Sequence, residues 1–217
     1  MNTGTIIAII VLVLIAILSV IFVFLDKVQF IYYGLTKNLH VKRLIKKYVN
    51  KRDFLLLPHL CLRIAPQQYL DIDYVLMGDR FIYVIAAKFY YGFLSGKDID
   101  DKWVLADGKN TDIIDNPLLA NETRVDYLAR ILNVNPNILV NVVLVSRTTT
   151  IDSLEIHNSS LHLIEEKNFE RFIDTFENDK DYPIFAAKDL EQLAADLYDY
   201  HNSSVEDKRM NSGKWNH

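Results

Sequence analysis

Residues 69–96 impose paired β-structure more strongly than any other stretch of the chain. They read YLDIDYVLM, then Gly78-Asp79, then RFIYVIAAKFYYGFLSG. Both arms are rich in β-branched and aromatic residues, and Gly-containing dipeptides bound them, which is the pattern of a β-hairpin. A two-residue turn at Gly78-Asp79 pairs Met77 with Arg80. It sets Asp73 opposite Val84 and Asp71 opposite Ala86. Side chains alternate faces along a strand, so Asp71, Asp73, Ala86 and Lys88 share one face. A slip of one residue would turn Asp73 away from Lys88 and dissolve the set.

A second constraint lies at the N-terminus. Residues 5–25, TIIAIIVLVLIAILSVIFVFL, form an apolar run without a single charge. At ~1.5 Å per residue the run reaches about 30 Å, the thickness of a hydrocarbon core. It lacks the basic n-region and small-residue cleavage site of a signal peptide, and its apolar residues cover every helical face. The expectation is one transmembrane helix within residues 1–26. Residues 26–52 then carry eight basic side chains against one acid, Asp26. Flanking positive charge stays on the cytoplasmic side. The chain is therefore expected to be a single-pass protein of the cell membrane, N-terminus outside and C-terminal domain in the cytoplasm. The lone Cys61 fits a reducing compartment. The Asn-x-Ser/Thr triplets at Asn121, Asn158 and Asn202 are then chance matches, out of reach of glycosylation.

Within 27–52, residues 36–50 predict a juxtamembrane helix. Leu39, Leu44, Ile45, Tyr48 and Val49 make its apolar stripe, with Lys42, Arg43, Lys46 and Lys47 beside it. Those cations suit anionic lipid headgroups, at about 1 kcal/mol each near the surface, and suit nucleic acid less well. The chain's net charge of −4 divides into +7 for residues 26–52 and −11 for residues 53–217. A domain that acidic is a poor bulk attractor for nucleic-acid phosphates, although a local groove can still be positive.

Residues 53–202 are expected to form one α/β domain, a mixed sheet flanked by helices. Strands are predicted at 54–64, on the hairpin arms, at 93–96, at 103–105, at 138–146 and at 161–164. Helices are predicted from Asn116-Pro117 to about Leu132, with Pro at the first turn, and near 165–177 and 188–201. Residues 97–115 otherwise read as a loop, and residues 203–217 as a polar tail with little to bury.

The hairpin motifs resemble the PD-(D/E)xK nuclease superfamily and, within it, the nuclease-related domain known as NERD. The resemblance covers roughly residues 51–146. It rests on Asp73 within DIDYVL, on VIAAK at 84–88, on GFLSG at 92–96, on Trp103, and on Asn116-Pro117-Leu118-Leu119. It implies a restriction-endonuclease-like core with Asp73 and Lys88 in catalytic positions. Asp73 would be a Mg²⁺ ligand, with Asp71 as a possible displaced second one. The chain departs from the family twice: Ala86 stands where the family has a metal-binding Glu, and Ala120 where it has a Gln.

A hydrolytic Mg²⁺ site needs carboxylates around the ion and a lysine near the attacking water. Losing one of two carboxylates removes most of the field that activates bound water. Lys88 then has two readings: it orients a water, or it pairs with Asp71 or Asp73 in a vacated site. Ala87 offers only a backbone carbonyl. A rescue would have to come from Asp98, Asp100 or Asp101, just past the hairpin. His59, His157 and His162 lack metal-ligand spacing, and Tyr74, Tyr83, Tyr90 and Tyr91 read as sheet packing. The expected function is a membrane-anchored, degenerate NERD-like module that uses no cofactor and binds a protein or nucleic acid. The alternative is an active Mg²⁺-dependent nuclease with a relocated acid.

Overall fold

The sequence LVNVVLV at 139–145 has no polar side except one Asn, so it can sit only in the middle of a sheet covered on both faces. All seven of its residues are buried. In a computed structural model, which describes residues 39–212 together with 12, 14, 15 and 17–19 of the apolar run, it is a central parallel strand. The elements follow in the order α1 (39–52), β1 (Leu55–Ala65), β2 (Gln68–Met77), β3 (Ile82–Lys88), β4 (Gly92–Lys97), β5 (Lys102–Ala106), β6 (Thr111–Asp115), α2 (Pro117–Leu132), β7 (Leu139–Val145), β8 (Thr149–Glu155), β9 (Leu161–Glu165), α3 (Phe169–Glu177) and α4 (Ala187–Ser212).

Two compact units divide at residue 42, Met1–Lys42 and Arg43–His217. In the first, the described residues of the apolar run are helical and exposed, and Ser19 Oγ donates to the Ile15 carbonyl at 2.9 Å. The membrane span expected over 5–25 otherwise lies outside the described residues. Among the described residues, no helix is long and apolar enough to cross a membrane.

The second unit is built on a five-stranded mixed sheet of order β1-β2-β3-β7-β9. Strands β1, β2 and β3 pair antiparallel, while β7 pairs parallel with both β3 and β9. One face carries Val75, Met77, Ile82 and Val84, packed with Val125, Leu128 and Ala129 of α2 and Leu197 of α4. On the other face, Tyr83 meets Phe176 of α3, and Tyr48 of α1 packs edge-on against Phe169. Ile45, Tyr48 and Val49 of α1 are buried while Lys42, Arg43, Lys46 and Lys47 are exposed. The stripe read from the sequence is there, with Leu39 left outside it at 52% exposure.

A second, four-stranded sheet of order β6-β5-β4-β8 is attached through Leu94 and Trp103, which share a core with Ala86, Leu118, Val143 and Val145. The GFLSG motif is explained here. A Cβ on Gly96 would lie 2.4 Å from the Trp103 ring, whose Nε1 donates to the Lys97 carbonyl at 2.7 Å.

Three expectations need correction. β6 falls in the stretch read as loop, and β8 in a stretch assigned no element. Both are almost wholly exposed, so neither needs an apolar alternation, and pairing to β5 and β4 holds them. The polar tail expected from residue 203 is instead the last part of α4, helical to Ser212. Its order comes from the bare edge of β1 rather than from apolar burial. The Cys61 N–H donates to His201 Nδ1 at 2.9 Å and the Arg63 N–H to buried Ser204 Oγ at 3.0 Å, while Tyr200 donates to the Arg63 carbonyl at 2.6 Å. Polar side chains of a helix thus take the place of a neighbouring strand.

Candidate functional site

The hairpin forms with its turn one residue later than expected. Gly78 N–H donates to the Phe81 carbonyl at 2.9 Å, leaving Asp79 and Arg80 at the tip. Met77 therefore pairs with Ile82, Val75 with Val84 and Tyr74 with Ile85. This moves the register by two residues. An even shift returns every side chain to the face it would have had, so Asp71, Asp73, Ala86 and Lys88 still share one face. The pairings expected for them, Asp73 with Val84 and Asp71 with Ala86, do not form.

The β2–β3 ladder stops at Tyr74 and Ile85. Beyond that point β2 continues beside β1, with Asp71 opposite Cys61, while β3 continues beside β7 to Lys88 opposite Val145. The two strands part into a fork, and side chains bridge it. Asp73 Oδ2 accepts from the Ala87 N–H at 2.8 Å, supplying the acceptor that a continued ladder would have supplied. Arg124, from α2, donates through Nε to the Asp71 carbonyl at 2.9 Å and through Nη1 to the Ala120 carbonyl at 2.7 Å.

Asp73 is at the fork, half-buried, and bonded to backbone. Asp71 is exposed and pairs with Lys208 of α4 at 3.6 Å. Ala86 is 2% exposed, in the core with Leu118, Val143 and Val145. Lys88 is half-buried at the end of β3. It adds to the field on Asp115 at the end of β6, whose carboxyl is held below the usual range chiefly by its bond to the Lys102 ammonium. Asp115 is thus the acid whose charge Lys88 stabilises at a distance, with no ion pair between them.

Of the acids weighed as a rescue, Asp98 has its carboxylate engaged, while Asp100 and Asp101 are exposed and held through their backbone carbonyls. Asp98 is 3% exposed and its Oδ2 accepts from the backbone N–H groups of His157 and Asn158 at 2.7 and 2.8 Å, bonds that hold its carboxyl low. The carbonyls of Asp98 and Asp100 accept from Asn116 Nδ2 at 3.0 and 2.8 Å, and the carbonyl of Asp101 from the Asn116 N–H at 2.9 Å. Asn116 also caps α2, its Oδ1 accepting from the Leu118 N–H at 2.9 Å. The Asn-Pro-Leu-Leu motif is thus a structural clasp that aims α2 across the sheet.

Asn121 was read only as an unused glycosylation triplet. It is a fully buried residue of α2 that faces the sheet, and its Nδ2 donates to the Val84 carbonyl and to Asn141 Oδ1, both at 2.8 Å. Asn141 Nδ2 in turn donates to the Leu118 carbonyl at 3.2 Å. The one polar residue in LVNVVLV was the available signal for this pair, since a buried amide needs a partner.

The histidines stay scattered. His162 packs between Phe172 and Phe176, where burial lowers its pKa, and His59 lies against Tyr74. Tyr74 and Tyr83 are buried in the sheet, whereas Tyr91 is 54% exposed. A concavity of about 430 Å³ opens at the opposite end of the sheet, where Leu139 and Leu161 begin β7 and β9. It includes none of the fork residues.

The family fold implies a divalent cation, and the fork residues do not fit one. Asp73 has one oxygen committed to Ala87, Ala86 offers a methyl group packed in core, and the Asp71 carboxylate is drawn to Lys208. Among the described residues no three His, Cys, Asp or Glu side chains are grouped to hold a metal ion.

Comparison with known proteins agrees with the motif reading. The sequence profile of the nuclease-related domain matches residues 34–146, more than half of the 217-residue chain. No curated protein sequence matches. A crystal structure titled as a protein of unknown function, AF1548, aligns over 79% of this chain and 96% of its own at 10% identity, with a TM-score of 0.27. A likeness that low carries no argument about fold or function.

Proposed function

The chain belongs to the nuclease-related domain family, and on that footing we propose that it is a binding module that has given up the family's metal site. In this reading the apolar run at 5–25 anchors it in the membrane and the domain lies on the cytoplasmic side. Its ligand is a nucleic acid or a protein partner met at that surface. The observation that carries the reading is Ala86. A carboxylate cannot be supplied by a residue whose only side-chain atom is a methyl group in the core beside Leu118, Val143 and Val145. The Asp73–Ala87 bond supports it, because it gives Asp73 a structural task. The competing reading, a Mg²⁺-dependent nuclease with a relocated acid, could draw on Asp115, whose charge Lys88 stabilises, but that carboxylate is already paired with Lys102.

The test is Mn²⁺ titration and a DNA-cleavage assay on the full chain in neutral detergent, beside an Asp73→Asn variant. The reading expects no Asp73-dependent metal binding and no cleavage. Cleavage that EDTA and Asp73→Asn both abolish would overturn it.

A further inference from the structure

The charges around the fork do not balance in the way a plain salt-bridged scar would. Asp71, Asp115 and Asp73 are each engaged by something other than Lys88 or Arg124. Asp71 pairs with Lys208 from α4, Asp115 pairs with Lys102 from β5, and Asp73 accepts from the Ala87 N–H. Lys88 and Arg124 are left without a salt-bridge partner among the described residues. Of the two readings for Lys88, the ion pair with Asp71 or Asp73 in a vacated site does not form.

Arg124 is also held in a particular way. Its two bonds are to backbone carbonyls, Asp71 of β2 and Ala120 of α2. They fix the guanidinium at the fork without neutralising it. A guanidinium carries five N–H donors. Two are spent on those carbonyls, and three remain without a partner among the described residues. A pinned, half-buried guanidinium with donors to spare is suited to the paired oxygens of a phosphate.

We propose that the fork is a metal-independent phosphodiester site, in which Arg124 and Lys88 supply the positive charge that a divalent cation supplies elsewhere in the family. The proposal rests on the binding-module reading above and names its ligand chemistry as a nucleic-acid backbone. Lipid headgroups present the same phosphate, but a fluid bilayer surface is met by exposed, mobile lysines such as Lys42, Lys46 and Lys47 on α1. A guanidinium pinned in a notch between two strands fits a phosphate that protrudes from a covalent strand. The two cations stand on different elements, α2 and β3, so they can hold one phosphate between them or two in succession.

The experiment is fluorescence polarisation of a labelled single-stranded oligonucleotide with the full chain in neutral detergent, with EDTA present and over a range of salt. Binding should persist in EDTA. Arg124→Ala and Lys88→Ala should each weaken it by about tenfold or more and reduce the slope of log K against log salt by about 1. Arg124→Lys should keep the slope while losing part of the affinity, a split that simple misfolding would not give. Binding in EDTA that is indifferent to both residues would overturn the proposal and leave the binding-module reading standing. Binding that requires Mg²⁺ would overturn both. Binding to anionic vesicles of phosphatidylglycerol and not to the oligonucleotide would also overturn it. Binding to neither probe would overturn it as well.

Discussion

The two ends of the β2–β3 hairpin solve the same problem by opposite means. At the turn, Glu177 from α3 closes the structure. Its carboxylate accepts from the Arg80 N–H at 3.0 Å and the Tyr83 hydroxyl at 2.7 Å, while Arg80 Nε donates to the Glu177 carbonyl at 3.0 Å. The fit is tight enough that a Cβ on Gly78 would lie 2.3 Å from Glu177 Oε1. At the fork the strands separate, and single bonds from Asp73 and Arg124 bridge the gap. A charge that fastens the fold is fully consumed by its partners, as Glu177 is. A charge available to a ligand is held by backbone and left unneutralised, as Arg124 is. On the proposal made above, the difference assigns ligand binding to the fork and stability to the turn.

The sharpest way to break that contrast is to restore an acid at the fork. Ala86→Glu places a carboxylate among Leu118, Val143 and Val145, where burial without a partner costs about 3–5 kcal/mol. We expect a large fall in melting temperature by differential scanning fluorimetry, with no recovery on adding Mg²⁺. Recovery would mean that the fork can open to admit an ion and that its packing is softer than the turn's. The next effect belongs to the turn. Glu177→Ala strands the Arg80 N–H and the Tyr83 hydroxyl in partly buried surroundings, at about 2–3 kcal/mol. Its oligonucleotide binding should be unchanged under conditions where the variant is folded.

The turn should also be the pH-sensitive end. Burial raises the Glu177 pKa above its ordinary value, even though the bonds from Tyr83 and Arg80 pull it down. A carboxyl whose folded pKa is raised binds its proton more tightly in the folded state. Its contribution is therefore present below the unfolded value and is lost as pH rises through the folded one. The melting temperature of Glu177→Gln should consequently improve relative to the parent as pH rises from about 4 to about 7. A constant difference across that window would show that Glu177 is no more proton-hungry folded than unfolded.

The sequence was most legible where burial forces a pattern. LVNVVLV could only be a central strand, Asn116-Pro117 opened a helix, and the alternation in both hairpin arms put Asp73 and Lys88 on one face despite a register two residues out. It was least legible where backbone pairing or polar contact replaces burial. β6 and β8 have few side chains to bury, and the last three turns of α4 are ordered by the unpaired edge of β1. The site was legible only in part for the same reason. Asp73, Lys88 and Ala86 follow from strand alternation, whereas Arg124 reaches the fork from α2, and no spacing within the hairpin points to it.

The smallest effect bears most directly on what Asp73 does. If its task is to accept the Ala87 N–H, an amide oxygen serves as well as a carboxylate oxygen, so Asp73→Asn should lie within about 0.5 kcal/mol of the parent. Asp73→Ala should cost about 1 kcal/mol, the loss of one half-buried acceptor. If its negative charge mattered instead, as a metal ligand or as the counter-ion of Lys88, the Asn variant would fall with the Ala variant. The charge then has a second readout. Removing it leaves Lys88 and Arg124 less opposed, so Asp73→Asn should bind an oligonucleotide somewhat more tightly than the parent at low salt, and equally at high salt where the difference is screened. Weaker binding by Asp73→Asn would place the carboxylate among the groups that hold the ligand, and the division between a fastening turn and a binding fork would have to be redrawn through Asp73 itself.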